Sequence, residues 1–98
     1  MAITVIAQLP FREDAADEGL EALEEILPAT RAFEGCLGVT LHREQGAPHR
    51  AVLIEQWRSA DDHKAYMSWR AETGSSGGMR SALSAAPAIQ YLDDLRVY

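Results

Sequence analysis

Apolar and polar residues along this chain follow two periods, one typical of strands and one typical of helices. Residues 3–9 (ITVIAQL) are β-branched and apolar, which predicts a first strand. Residues 36–44 (CLGVTLHRE) and 51–58 (AVLIEQWR) have the same character, and the turn residues GAPH between them predict an antiparallel hairpin. Residues 88–98 (AIQYLDDLRVY) predict a last strand. The chain therefore contains four candidate strands.

A first helix is predicted between the first two strands, over about residues 14–33. Leu20, Leu23 and Leu27 recur there at helical spacing, and the acidic first half suits the positive end of a helix dipole. Pro28 has no N–H to donate to the carbonyl four residues before it. We therefore expect a kink or a break in this helix at Pro28.

A second helix is predicted over about residues 60–73. Ser59 and Asp62 stand at the spacing of a capping box, with Asp in place of the usual Glu or Gln. The run GSSGG (74–78) ends this helix, because glycine lowers helix stability. The following MRSALSAA (79–86) predicts a short helical segment.

The order of these elements is β-α-β-β-α-β, which is the ferredoxin-like plan of an α+β protein with an antiparallel sheet. The chain has 98 residues, enough for one hydrophobic core. We see no internal repeat and no composition shift that marks a linker. The prediction is a single domain over residues 1–98.

Both faces of the predicted sheet carry large apolar side chains. In the first strand Ile3 and Val5 point to one face and Ile6 to the other, and in the third Ile54 lies opposite Trp57. The predicted helices can cover only one face, so we expect a second copy of the sheet to cover the other in a homodimer. The alternative is that these are scattered apolar residues, which are normal on any protein surface.

Composition and charge exclude several classes of partner. Nine Lys and Arg stand against fifteen Asp and Glu, a net charge of −6 that repels phosphate backbones, so no nucleic acid partner is expected. The single cysteine, Cys36, excludes an intrachain disulfide and a thiolate metal cluster. No apolar run approaches the roughly 20 residues that span a bilayer, and the start of the chain lacks signal-peptide features. We expect a cytoplasmic protein with no membrane partner.

Three stretches together resemble a known family. TRAFEGCLGVTLHRE contains a T-R-x-x-x-G turn at Thr30, Arg31 and Gly35, AVLIEQW ends in E-x-W at Glu55 and Trp57, and SADDH begins the second helix. In this order and spacing they resemble the antibiotic biosynthesis monooxygenase (ABM) domain over nearly the whole chain. The resemblance implies a dimeric α/β-barrel in which each protomer holds a pocket between its helices and its sheet. The family includes cofactor-free oxygenases of polycyclic aromatic substrates, quinol-oxidising enzymes and haem-degrading enzymes.

The sequence departs from the family pattern in two places, which bears on which of these activities we expect. Many members place a histidine nine positions after the tryptophan that ends the strand, where this chain has Tyr66. The haem-degrading branch needs an asparagine in its first strand and a late histidine, but this chain contains no asparagine and has GSSGG where that histidine would fall. Haem degradation is therefore not expected.

The second helix supplies the candidate catalytic residues. At helical spacing Tyr66 and Trp69 share a side that His63, Met67 and Arg70 flank. His63 has an ordinary pKa suited to accepting a proton near neutral pH, and Tyr66 is suited to hydrogen-bonding a substrate oxygen. The alternatives are an exposed helix position for His63 and a core position for the two aromatic rings.

The remaining candidate residues are predicted to bind the substrate. Trp57 and Trp69 are suited to holding a flat ring between them, Met67 to lining its apolar slot, and Arg70 to offsetting the charge of an anion. His42, on the second strand, faces either the pocket or the dimer interior. The three histidines are too far apart in sequence to predict a metal site.

The leading hypothesis is a cofactor-independent monooxygenase or quinol-oxidising enzyme that uses dioxygen, with no metal or flavin, on a small aromatic or polycyclic phenol. Such a protein has to bind the ring, accept its proton and stabilise the resulting oxyanion, because the anion of an electron-rich phenol can itself reduce dioxygen. The alternative is a non-catalytic dimer that binds a small hydrophobic ligand.

Overall fold

The computed structural model describes residues 2–98 and has the ferredoxin-like α+β architecture that the sequence predicts. Its sheet has four antiparallel strands in the order β2-β3-β1-β4. A single turn of 3-10 helix at Glu13–Ala15 leads into the first α-helix. The elements are β1 (Ile3–Pro10), α1 (Ala16–Ala32), β2 (Cys36–Arg43), β3 (Arg50–Trp57), α2 (Ala60–Thr73), α3 (Gly77–Ser81) and β4 (Ala88–Asp93).

Buried and more exposed side chains alternate along the two central strands, β1 and β3, and the buried set forms the core. In β1 the odd-numbered residues are buried, and in β3 the burial again falls on every second residue, from Ala51 to Trp57. The register pairs Ile3 with Trp57 and Leu9 with Ala51, so the buried sets of both strands face the same side. The helices cover this side and leave the other face of the sheet uncovered.

Helix α1 continues through Pro28, so of the expected kink or break the break does not occur. Leu23 before the proline and Thr30 after it are both buried, Leu23 in the main apolar cluster and Thr30 against Tyr66. Packing on both sides of Pro28 holds the backbone helical, and this outweighs the single hydrogen bond that proline cannot make.

Two elements near the end of the chain differ from the prediction. Strand β4 ends at Asp93, because that residue pairs with Ile3, the first residue of β1, and later residues have no strand to pair with. Helix α3 begins and ends earlier than predicted. The residues after it pair with the end of β1 instead, since Ser84 N–H donates to the Pro10 carbonyl at 2.8 Å.

The T-R-x-x-x-G turn connects α1 to β2 and fixes where α2 starts. Arg31 Nη1 donates to the Cys36 carbonyl at 2.9 Å. Gly35 has φ of 92°, and a Cβ there would lie 2.6 Å from the Cβ of Asp62, so both conformation and space favour glycine. Ser59 caps α2 by accepting from the Asp62 N–H at 3.1 Å. The predicted cap is thus confirmed.

None of the helices within residues 2–98 is long and apolar enough to cross a membrane.

Candidate functional site

An apolar cleft lies between the sheet and the three helices. Its cavity volume is about 60 Å³, room for a few water molecules. The sheet, α1 and α3 supply most of its apolar wall. These residues are Ala7, Leu9, Leu53, Leu23, Ile26, Leu27 and Met79. The polar groups on its wall are Glu55, His63, Tyr66, Arg70, Ser76 and Arg80. The cleft therefore combines an apolar interior with a few polar groups, as small-molecule sites commonly do.

His63 is the most buried titratable group of the cleft, with 1% of its surface exposed. Its Nδ1 lies 2.8 Å from the Tyr91 hydroxyl, and its Nε2 lies 3.7 Å from Glu55 Oε1. Burial disfavours the charged imidazolium and lowers the pKa of His63 to about 4. At neutral pH the imidazole is therefore uncharged and has one nitrogen able to accept a proton.

Glu55 is a buried carboxyl group that has no arginine or lysine partner among the ion pairs of residues 2–98. Only 3% of its surface is exposed. Burial raises the pKa of Glu55, and the hydrogen bond that Trp57 Nε1 donates to Oε1 at 2.7 Å partly offsets that rise. Glu55 is therefore a stronger base than a solvated carboxylate.

Arg70 is the centre of a second buried network. Its Nε donates to the Tyr66 hydroxyl at 3.0 Å, and its Nη2 donates to Thr30 Oγ1 at 3.0 Å and to the Ile26 carbonyl at 2.7 Å. Its Nη1 donates to Ser75 Oγ at 3.1 Å. These four bonds use four of the five N–H groups of a guanidinium. One N–H on Nη1 is left over.

The acceptors around Arg70 are all neutral. Within the described part of the chain no carboxylate forms an ion pair with it, although only 4% of its surface is exposed. The guanidinium also lies 4.7 Å from the centre of the Trp69 ring and 5.2 Å from that of Tyr66. The cleft wall thus holds a buried guanidinium that forms no ion pair with a described carboxylate.

The Tyr66 hydroxyl is engaged within this network. It lies 2.6 Å from Thr30 Oγ1, and Thr30 itself donates to the Ile26 carbonyl at 3.4 Å. Either hydroxyl is able to donate in the bond between Tyr66 and Thr30. The Tyr66 oxygen also accepts from Arg70 Nε, so this hydroxyl has two partners within the network.

The structure brings four of the seven predicted site residues to one cleft. His63, Tyr66, Met67 and Arg70 all line it, from successive turns of α2. Their spacing of three and four residues puts them on one side of the helix, as the periodicity predicted.

The other three predicted residues lie elsewhere. Trp57 has no exposed surface and packs edge-on against His63, with ring centres 5.3 Å apart. Trp69 packs against Phe33 on the far side of Tyr66, so the two tryptophans do not enclose a common slot. His42 pairs across the strands with Val52, on the uncovered face of the sheet, and bonds Thr40. The cleft and His42 are on opposite sides of the sheet.

Sequence reasoning did not identify Glu55, Tyr91 or Thr30 as site residues. For Glu55 a signal was present: E-x-W spacing places its side chain on the same face of β3 as Trp57, so a buried carboxyl could have been inferred. For Thr30 and Tyr91 no local signal exists, because their partners are 36 and 28 residues away in the chain.

Residues 2–98 contain no group of three or more His, Cys, Asp or Glu side chains arranged to hold a metal ion.

Comparisons with known proteins agree with this architecture. A family model described as antibiotic biosynthesis monooxygenase matches residues 2–71. The structure of Rv0793 from Mycobacterium tuberculosis is 23% identical, with a TM-score of 0.83, and the match covers 99% of this chain and 98% of that one. PA3566 from Pseudomonas aeruginosa is 25% identical, with a TM-score of 0.78 and coverage of 97% and 95%.

A third solved structure, named antibiotic biosynthesis monooxygenase, is 22% identical with a TM-score of 0.83, covering 96% of this chain and 99% of that one. Among curated proteins, none matches this chain.

Proposed function

The chain belongs to the antibiotic biosynthesis monooxygenase family, and from that premise we propose that it is a cofactor-independent monooxygenase or quinol-oxidising enzyme for a small phenolic substrate. The observation that carries this proposal is the presence, on one apolar cleft, of an uncharged, buried imidazole and a buried guanidinium that bonds only neutral acceptors. One group accepts a proton, and the other stabilises the anion that remains.

His63 is the proton acceptor in this proposal. In the empty cleft its pKa is about 4, because the imidazolium is poorly solvated there. When a phenolate forms beside it, the imidazolium gains an opposite charge, which raises its pKa towards the range that general base catalysis requires. Substrate binding itself therefore makes proton transfer to His63 favourable.

Arg70 stabilises the substrate anion. Its charge has no carboxylate partner in the described residues, and one N–H remains for a substrate oxygen. Inside a low-dielectric cleft such a fixed charge is worth more than in water and needs no rearrangement when the anion forms. The electron-rich anion then supplies electrons to dioxygen, and in this proposal the step uses no metal or flavin.

The other predicted residues have supporting roles in this proposal. Met67 lines the apolar wall. Tyr66 holds the Arg70 guanidinium through its hydroxyl oxygen, and Trp69 lies beside that same guanidinium. Trp57 fixes Glu55. We therefore assign catalysis to His63 and Arg70, with Tyr66 acting through Arg70.

The size of the cleft restricts the substrate. Sites for drug-sized ligands commonly occupy about 300–1,000 Å³, far more than the cavity of about 60 Å³ seen here. A single ring requires least rearrangement. A polycyclic substrate requires α3 to move outwards, since Ser76, Met79 and Arg80 form that side of the cleft. We accordingly expect single-ring and two-ring phenols to be better substrates than anthrones.

We also infer that the protein is a homodimer that joins the uncovered faces of two sheets. Ile6 and Ile54 are cross-strand partners on that face, and Leu92, which is 37% exposed, continues their apolar surface on β4. A second sheet packed at about 10 Å would remove these side chains from water.

Dioxygen uptake tests the proposed activity. Purified protein treated with a metal chelator is mixed with single-ring quinols, naphthols, naphthoquinols and hydroxyanthrones. The proposal predicts uptake above the protein-free rate for at least one of them, with the smaller rings fastest. Heavy-isotope dioxygen then separates the two reaction types, because a monooxygenase incorporates the label into the product and a quinol oxidase does not. No uptake across the panel would favour a non-catalytic dimer that binds a small hydrophobic ligand.

A further inference from the structure

Glu55 and His63 together offer two acceptor atoms to one point in the cleft. Glu55 Oε1 and His63 Nε2 are 3.7 Å apart, too far for a hydrogen bond between them. Both residues line the cleft. An oxygen atom placed about 2.8 Å from each of them fits this separation with ordinary hydrogen-bond lengths. A single substrate hydroxyl can therefore contact both atoms.

Each acceptor is held by its own partner. Trp57 Nε1 donates to Glu55 Oε1 at 2.7 Å, and the Tyr91 hydroxyl lies 2.8 Å from His63 Nδ1. The Tyr91 hydroxyl can accept from Nδ1–H or donate to an unprotonated Nδ1, so it holds the ring in either tautomer. When Tyr91 accepts from Nδ1, Nε2 carries the lone pair, 3.7 Å from Glu55 Oε1.

We propose that Glu55 is a second proton-accepting residue of the cleft, acting beside His63 on the same substrate hydroxyl, and that Tyr91 is a positioning residue that holds the His63 ring with Nε2 towards Glu55. This rests on the proposed function. The substrate O–H bond breaks, its electron pair stays on the oxygen, and the proton passes to Glu55 Oε1 or His63 Nε2. With Glu55 ionised beforehand, the negative charge moves from Glu55 to the substrate, and the total charge of the cleft is unchanged.

Titratable side chains surround His63 from β3, β4 and α2, and the Arg70 guanidinium lies on the same cleft. Glu55 faces His63 from β3, and Tyr91 faces it from β4. Tyr66 lies beside it on α2, with ring centres 6.0 Å apart. Lys64 lies 5.8 Å from the centre of the Tyr91 ring, on the exposed side. Burial and the charge of Glu55 both raise the pKa of Tyr91, so its hydroxyl stays protonated and keeps its positioning role.

The test uses para-nitrophenol, a single-ring phenol whose anion absorbs at a longer wavelength than the neutral form and which does not react with dioxygen. We expect the wild-type protein to bind it largely as the anion at a pH below the phenol's own pKa. Glu55→Gln should lower the ratio of bound anion to bound phenol by about tenfold, equivalent to one pKa unit. Glu72→Gln, an exposed change on α2, should leave that ratio unchanged. An equal ratio in Glu55→Gln and wild-type protein would overturn the proposal.

A measurement without ligand keeps the proposal testable if the phenol binds weakly. The infrared C=O stretch of the protonated Glu55 carboxyl is assigned by its loss in Glu55→Gln, a variant whose amide oxygen can still accept from Trp57. Its titration midpoint should shift in His63→Gln, because the two groups share one site, and a midpoint unchanged by His63→Gln would contradict the pairing.

Tyr91→Phe tests the positioning role separately. We expect it to change the nitrogen chemical shifts of the His63 ring, which report the tautomer, while the melting temperature stays close to that of wild-type protein. Identical nitrogen shifts would remove Tyr91 from the proposal. Oxygen uptake separates the role of Glu55 from the proposed oxygenase activity. If the protein ionises the phenol but no substrate gives uptake, Glu55 stays a proton acceptor and the oxygenase proposal ends. If uptake occurs and Glu55→Gln does not affect it, the oxygenase proposal stands and Glu55 is not a proton acceptor in the reaction.

Discussion

His63 owes its chemistry to its buried position on α2, against the sheet, rather than to its identity alone. A solvated histidine has a pKa near 6.5, and burial in this cleft lowers it to about 4. The side chain is thus a neutral proton acceptor over the whole physiological pH range, where an exposed histidine would be partly charged.

This predicts an unusual pH profile. Because kcat/KM reports the free enzyme, its acidic limb should fall with a midpoint near pH 4 rather than near pH 6.5. The measurement is the initial rate of dioxygen uptake at low substrate concentration over a range that extends below and above these two pH values, with circular dichroism to show that the protein stays folded. A midpoint near 6.5 would mean that His63 is solvated or is not the base.

Tyr66→Phe is expected to destabilise the protein as well as to slow it. The change removes the acceptor for Arg70 Nε and the hydroxyl partner of Thr30, and leaves buried polar groups short of partners at a cost of about 1–3 kcal/mol in the free energy of unfolding. Urea denaturation measures this loss, with Tyr98→Phe as the control because Tyr98 is fully exposed. A Tyr66→Phe protein as stable as the control would show that the network contributes little.

Residue periodicity identified the right face of α2 but not the atoms that its side chains contact. The spacing of His63, Tyr66 and Arg70 depends only on local helical geometry, so the sequence predicts it. The bond from Tyr66 to Thr30 depends on how α2 packs on α1, which no local pattern encodes. For this reason a hydroxyl predicted to face a substrate is instead part of a buried network.

Helix α2 carries His63, Tyr66, Met67 and Arg70, so its first turn fixes the geometry of the cleft. Ser59→Ala removes the side-chain oxygen that accepts from the Asp62 N–H and should cost about 1 kcal/mol of unfolding free energy. Ser68→Ala, an exposed change within the same helix, should be neutral or slightly stabilising, because alanine has the higher helix propensity. Thermal denaturation of both variants measures the difference, and equal stabilities would show that the cap is dispensable.

The elements that the sequence predicted well are those whose pattern is set by burial on one face. β1 and β3 match their predicted ranges closely for this reason, and α2 does so because Ser59 and Gly74 mark its two ends. The predicted strand over residues 88–98 was too long because its length depends on where β1 begins, and the predicted break at Pro28 did not occur because packing outweighed local propensity. Both differences come from contacts distant in sequence.

Across the whole molecule, apolar surface is divided between the covered and the uncovered face of the sheet. If the uncovered face is a dimer interface, Ile54→Glu should convert the protein to a monomer, because a buried unpaired carboxylate is costly. Ala29→Glu adds the same charge on the exposed side of α1 and should leave the dimer intact. Light scattering at micromolar concentration gives the molar mass of each. A wild-type monomer, or a dimer that survives Ile54→Glu, would contradict this interface.

The most direct test of the account is dioxygen uptake by chelator-treated wild-type protein, His63→Gln and His49→Gln, with a single-ring quinol or naphthoquinol. The account predicts uptake above the protein-free rate for the wild-type protein. His49, in the turn between β2 and β3, lies outside the cleft lining, so His49→Gln should match the wild type. His63→Gln, correctly folded, should lose about 10²–10⁴-fold, the usual contribution of a general base. Equal uptake by His63→Gln and the wild type would contradict the assignment of the cleft as the site of reaction.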